Sequence, residues 1–144
     1  MTTKTKLLLL IFMLTGLISC KSGQLKNAAI QETGMYKVAI LYPNGEGKTF
    51  DMDYYEQQHM PMVAGFIGKN LKFYEIDKGV AGRTPEEKVP FVAIGYFYVQ
   101  DVAGYNKAIA ENRDAVIGDI KNYTNIQPIV QISEIKKLGY NNLK

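Results

Sequence analysis

The sequence predicts an α+β domain of order β-α-β-β-α-β, and three observations predict it. Four stretches rich in β-branched and aromatic residues are spaced along the chain and stopped by Gly, Pro and Asn. Two segments of helix length separate the first from the second and the third from the fourth. Each of these opens on aspartate (Asp51 and Asp53, then Asp101), whose carboxylate caps free N–H groups at a helix start.

Ahead of the domain, residues 1–19 read as an export signal. Lys4 and Lys6 are the only charges before Cys20, and Leu7 to Ile18 is almost wholly apolar. That run is too short for a bilayer, which takes about 20 helical residues. Leu17-Ile18-Ser19-Cys20 resembles the lipobox of bacterial lipoproteins. The resemblance implies lipidation of Cys20 and stable membrane anchoring by several acyl chains. Cys20 is also the only cysteine, so no disulfide forms within the chain. Residues 20–34 form the lipidated cysteine and a polar, weakly periodic tether. The expected location is exported, at a bacterial cell envelope.

About 125 residues follow the signal, enough for one domain with a core. The chain has 17 basic and 14 acidic residues, and no basic block follows Cys20, so nucleic acid is not an expected partner. Ten Tyr and six Phe, with no Trp, suit a pocket with apolar walls and a few polar tips.

The domain occupies residues 35–136. Tyr36 to Tyr42 is the first strand, ended by Pro43-Asn44-Gly45. A helix covers about Asp51 to Phe66. Leu71 to Lys78 is the second strand, Gly79 to Val89 a long loop, and Phe91 to Val99 the third strand. A second helix covers about Val102 to Ala115, and Ile126 to Ile135 is the last strand. Residues 137–144 form a C-terminal tail. The order is that of the ferredoxin-like fold.

The third strand, Phe-Val-Ala-Ile-Gly-Tyr-Phe-Tyr-Val, is apolar on both faces, where a strand with one wet face alternates. Two helices cover one face of a four-stranded sheet. A second copy of the same sheet is the economical cover for the other, giving a homodimer; the chain's own tail is the alternative cover.

His59 is the only histidine. Met52, Tyr55, His59, Met62 and Phe66 fall three and four apart, a single stripe facing the core. Pro61 cannot donate to the carbonyl of Gln57, and its ring opens the turn beside His59. Two readings stay open for the imidazole. It is an acid–base group in a pocket, with an unperturbed pKa near 6.5, or a core histidine bonded to a carbonyl. With one His and a lipidated thiol, no metal cluster is visible. Gly45-Glu-Gly-Lys-Thr49 lacks the first glycine of a phosphate loop, because position 42 is Tyr.

Several stretches resemble the EthD family: Tyr42-Pro-Asn-Gly, Phe50 through Met62 with its Tyr55-x-x-x-His59-x-Pro61 core, Phe91-Val-Ala-Ile-Gly-Tyr, and Gly118 through Pro128. The resemblance spans about Tyr36 to Ile135. It implies two ferredoxin-like units forming a dimeric α+β barrel, with a cavity between helices and sheet and His59 as the matching histidine. Related barrels include cofactor-free monooxygenases, polyketide cyclases and decarboxylases acting on small, often aromatic molecules. Family members are usually cytoplasmic, so the lipoprotein signal is a departure.

The leading expectation is a pocket protein that uses no cofactor and takes a small apolar or aromatic compound. In it His59 is the acid–base, and Tyr42, Tyr55, Met62, Phe66, Tyr74 and Tyr96 are the candidate pocket residues. The alternatives are an envelope module that binds a ligand without turnover, and a structural dimer that presents loops.

Overall fold

The computed structural model describes residues 34–139. The export signal, Cys20, the tether up to residue 33 and tail residues 140–144 lie outside the described residues. No described helix is long and apolar enough to cross a membrane.

Strand β1 (Tyr36–Pro43) is central. It pairs antiparallel with β3 (Phe91–Val99) on one side and with β4 (Ile129–Glu134) on the other. Strand β2 (Leu71–Lys78) pairs antiparallel with β3, giving the order β2-β3-β1-β4. This is the ferredoxin-like α+β topology that the sequence predicts. One sheet face carries Val38, Tyr42, Ala93, Phe97 and Val99, all buried in the core. The opposite face carries the intervening residues. There the Phe73 and Tyr98 rings stack at 4.1 Å, Lys37 lies over the Tyr96 ring at 5.1 Å, and Tyr98 donates to Glu75 at 2.6 Å.

The first helical segment begins as predicted: the Asp51 carboxylate accepts from the Tyr54 N–H at 3.0 Å. It then changes character. Helix α1 (Met52–Tyr54) runs into a π-helical turn over Tyr55–His59, and α2 (Met60–Ile67) follows. The Met60 N–H bonds back to the Tyr55 carbonyl, five residues away. Pro61, with no N–H to give, sits where the wide turn ends.

That turn accommodates one extra residue, and it corrects the expected stripe. Tyr55 and His59 face the core, but beyond them the buried positions are Met60, Val63 and Ile67. Met62 and Phe66, forecast to line the pocket, have rotated off that face and are only half-buried.

Helix α3 (Val102–Glu111) is capped by Asp101, which accepts from the Gly104 N–H at 2.6 Å. It breaks at Asn112, whose side chain donates to the Ala108 carbonyl at 2.8 Å. Helix α4 (Arg113–Asp119) runs four residues beyond the forecast end at Ala115, and a 3₁₀ turn (Ile120–Asn122) carries the chain on to Tyr123. The last strand starts at Ile129 rather than Ile126. The Ile126 N–H is taken by the Thr124 hydroxyl at 3.0 Å, and Pro128 has no ladder donor.

Candidate active site

The core-facing side of the π-turn and the end of α4 meet at His59. The imidazole is 7% exposed. Its Nδ1 lies 2.8 Å from Asp119 Oδ2, and its Nε2 lies 3.3 Å from the Tyr123 hydroxyl. The Tyr123 hydroxyl in turn lies 2.8 Å from that of Tyr42 on β1. Asp119 Oδ1 accepts from the Tyr54 hydroxyl and from Asn122 Nδ2, both at 2.8 Å. One carboxylate therefore collects three donors, and one histidine sits between it and a pair of phenols.

Charge states follow from these contacts. Burial opposes ionisation of Asp119, but hydrogen bonds from His59, Asn122 and Tyr54 outweigh it and hold the carboxyl below its ordinary value. Burial pushes the His59 pKa down from 6.5, and the pull of Asp119 in the other direction does not restore it. At neutral pH the pair is a carboxylate beside a neutral imidazole. Asp119 accepts only, so Nδ1 carries the proton and Nε2 is left as an acceptor. Tyr123 then donates to Nε2, and Tyr42 donates to Tyr123. Burial raises the pKa values of Tyr42, Tyr55 and Tyr123, and that of Tyr105 to about 12, so these phenols keep their protons.

The rings form one aromatic cluster. Tyr55 stacks on His59 with centroids 5.6 Å apart, and Tyr123 is tilted against His59 at 4.6 Å. Tyr55 is fully buried, and its hydroxyl meets no neighbour in hydrogen-bonding geometry, although Tyr42 is near enough to act on its ionisation. That hydroxyl lies over Gly95 of β3, in space that a Cβ on residue 95 would fill.

A cavity of about 120 Å³ adjoins the cluster, between the helices and the sheet. His59, Tyr42 and Tyr123 supply its polar edge; Tyr55 lines it while its hydroxyl stays sealed over Gly95, and the remaining wall is apolar apart from the Tyr105 ring. Ile117 of α4 and Val130 of β4 also line it and are about half exposed, so its mouth lies between these two elements. A larger hollow of about 750 Å³ lies over Asp51, Asp53, Lys121 and Asn125, and reaches Asn122 and Tyr123, but it is an open polar surface that His59 does not line. No group of three or more His, Cys, Asp or Glu among the described residues is arranged to hold a metal.

Of the sequence-predicted pocket residues, Tyr42 and Tyr55 join His59 at the cavity and four do not. Met62 and Phe66 are displaced by the π-turn. Tyr74 faces the helices from the edge strand but stays 38% exposed, against Phe97. Tyr96 points to the opposite sheet face, beneath Lys37. Sequence reasoning missed Asp119, Tyr123, Tyr54 and Asn122. The signal for three of them was the polar spacing Asp119, Asn122, Tyr123, three and four apart in the stretch after Gly118.

Comparison with known proteins agrees with this fold. The EthD domain matches residues 44–127, which span the π-turn, β2, β3 and the Asp119–Tyr123 segment. An EthD-like protein from Ralstonia eutropha JMP134 is 38% identical, with a TM-score of 0.69 over 72% of this chain and 94% of that one. An ethyl tert-butyl ether (EthD) family protein from Bacillus halodurans C-125 is 19% identical, with a TM-score of 0.52 over 69% of this chain and 97% of that one. HapK from Hahella chejuensis shares the fold at 9% identity, with a TM-score of 0.50 over 74% of this chain and 98% of that one. No curated protein matches the chain. The matched domain covers more than half of the sequence and includes every residue of the His59 network except Tyr42, and on that basis the chain belongs to the EthD family.

Proposed function

We propose that the chain binds a small apolar or aromatic compound in the His59 cavity and moves a proton on it without a cofactor. One observation carries this reading: a neutral histidine is fixed at Nδ1 by an ionised carboxylate while its Nε2 is turned, through Tyr123, toward an apolar cavity. A base so held keeps its productive tautomer, and its conjugate acid is steadied by the charge behind it. The substrate's proton passes to Tyr123 as the Tyr123 proton passes to Nε2. The products are a substrate anion, an intact phenol and an imidazolium paired with Asp119. Cyclisation and decarboxylation both need such a step, to make a carbanion or to quench one.

A ligand-binding role without turnover is the second reading. It is favoured by the Tyr123 hydroxyl, which satisfies Nε2 and so stands between the imidazole and the cavity. Native mass spectrometry of the protein and of His59→Ala against small phenols and ketones separates the two. Product formed by the wild type and abolished by the variant, with ligand still bound, supports catalysis. Stoichiometric ligand with no product supports binding alone.

The apolar residues on both faces of β3, with Val92, Ile94 and Tyr96 left half-buried on the face away from the helices, support a homodimer in which the sheets meet through Val92, Ile94, Tyr96 and Tyr98. The sequence around Cys20 supports export and lipid anchoring at the envelope, with the tether holding the domain off the membrane.

A further inference from the structure

We propose that Tyr54 is a positioning residue for the His59 base: from the outer side of the network its hydroxyl holds Asp119 by Oδ1, and through that carboxylate it sets how firmly the imidazole keeps a proton. This rests on the acid–base reading of His59 and adds a residue to it.

Two adjacent tyrosines flank the carboxylate–imidazole pair from different sides. Tyr55 is buried and stacks on His59. Tyr54 is half-buried on α1 and stands outside the cavity's lining. Its ring lies nearly parallel to that of Tyr123, with centroids 6.3 Å apart. A tyrosine at the surface can leave its hydroxyl to water. This one instead reaches a residue 65 positions along the chain, donating to Asp119 Oδ1 at 2.8 Å. Asn122 Nδ2 donates to the same Oδ1 at 2.8 Å and lies 3.3 Å from the Tyr54 oxygen. Two donors therefore occupy Oδ1 from the surface side, and Oδ2 is left to His59 Nδ1 at 2.8 Å.

The two carboxylate oxygens share one charge. Each donor on Oδ1 draws density toward that atom, so Oδ2 pulls less on the imidazole N–H and steadies an imidazolium less. The same bonds keep the proton off Asp119. Burial alone would raise the carboxyl and bring it closer to the imidazole, and two groups so near each other would then compete for one proton. Donation from His59, Asn122 and Tyr54 reverses that rise. The pair is thereby separated into a fixed anion and a neutral base, the division of roles that acid–base work needs. From the other end of the bond, the Asp119 carboxylate raises the Tyr54 pKa, so the phenol keeps the proton it donates. The titratable groups that face Asp119 are His59 from the π-helical turn and Tyr54 from α1; those that face His59 are Asp119, Tyr123 and Tyr55. If the Tyr54 bond only tied α1 to α4, its loss would lower stability and leave the titration of the imidazole alone.

The test is a nitrogen-15 NMR titration of His59 in the full chain without ligand. Tyr54→Phe keeps the ring against Tyr123 and removes only the hydroxyl. Its His59 midpoint should lie above that of the wild type, while the tautomer stays Nδ1–H because Asp119 still accepts. Asn122→Ala takes another donor from Oδ1 and should move the midpoint the same way, which decides the matter if Tyr54→Phe does not fold. In an Asp119→Asn background, Tyr54→Phe should leave the midpoint where Asp119→Asn alone puts it, since the charge it acts through is gone. A midpoint that is unchanged or lower in Tyr54→Phe overturns the proposal, and so does a shift of equal size in both backgrounds. A raised midpoint in a protein that turns over nothing in the mass-spectrometry screen keeps the hold of Tyr54 on the imidazole and removes the acid–base function alone.

Discussion

Replacing Asp119 with Asn keeps the shape of the site and removes one charge. Asn retains an oxygen for Tyr54 and Asn122, which donate to Oδ1 at 2.8 Å. The atom facing His59 Nδ1, now 2.8 Å from Oδ2, becomes an NH₂ donor. Two donors cannot bond each other, so the imidazole must move its proton to Nε2. Nε2–H then meets the Tyr123 O–H, which has to turn and accept, and the direction of the Tyr123–Tyr42 bond reverses with it. A hydrogen bond to a charged group is worth about 1.5–3 kcal/mol and its neutral replacement about 0.5–1.5 kcal/mol. Asp119 keeps 15% of its side chain in solvent, which trims the difference to roughly 1–2 kcal/mol. For a domain of this size that lowers Tm by roughly 5–10 °C. Turnover by a base in the wrong tautomer should fall on the order of 10²–10⁴-fold. The direct assay is nitrogen-15 NMR of the imidazole, which distinguishes Nδ1–H from Nε2–H and is free of overlap because His59 is the only histidine. A wild-type Nε2–H tautomer, or an Nδ1–H tautomer that survives in Asp119→Asn, would refute the reasoning.

Four other outcomes are expected. The folded state lowers the His59 pKa below 6.5, so its contribution to stability is complete above pH 6.5 and is lost as the pH falls from there through the folded value; an NMR titration midpoint at or above 6.5 would contradict this. Gly95→Ala should cost about 1–3 kcal/mol, because its Cβ overlaps the Tyr55 hydroxyl and presses on Met60 Sδ at 3.2 Å. Adding Tyr55→Phe should recover part of that loss in a double-mutant cycle, and strictly additive costs would deny the contact. Ile94→Glu sets a charge on the open sheet face and should yield monomers by light scattering after gel filtration if the sheets meet there; a dimer of unchanged mass would count against that interface. Cys20→Ser should leave the chain unlipidated and shift it out of the membrane fraction, whereas unchanged membrane partition would count against the anchor.

Much of the fold was legible because its punctuation is local. Strands β2 and β3 run as forecast, Leu71–Lys78 and Phe91–Val99, since β-forming residues are bounded by turn residues on both sides. The inward aim of His59 was legible from its spacing to Tyr55. Two things were not. The displacement of Met62 and Phe66 follows from a five-residue hydrogen bond, which a count of 3.6 residues per turn does not contain. The partnership of His59 with Asp119 spans 60 residues and depends on α4, which continues past the break at Asn112 and beyond the forecast helix end at Ala115. The spacing of Asp119, Asn122 and Tyr123 sets them on one side of their turn, but it does not say that this side meets His59, so that contact is visible only in three dimensions.

The wide turn at Tyr55–His59 also divides the labour of its helix. Upstream of it, side chains are set by the phase that aims Tyr55 and His59 at the cavity. Downstream, Met60, Val63 and Ile67 obey a second phase that glues α2 to the core. Both phases nonetheless reach the cavity, the first with the aromatic Tyr55 and His59 and the second with the aliphatic Met60 and Val63. One helix therefore supplies both the histidine and the apolar wall beside it, which a single continuous phase would turn to different sides.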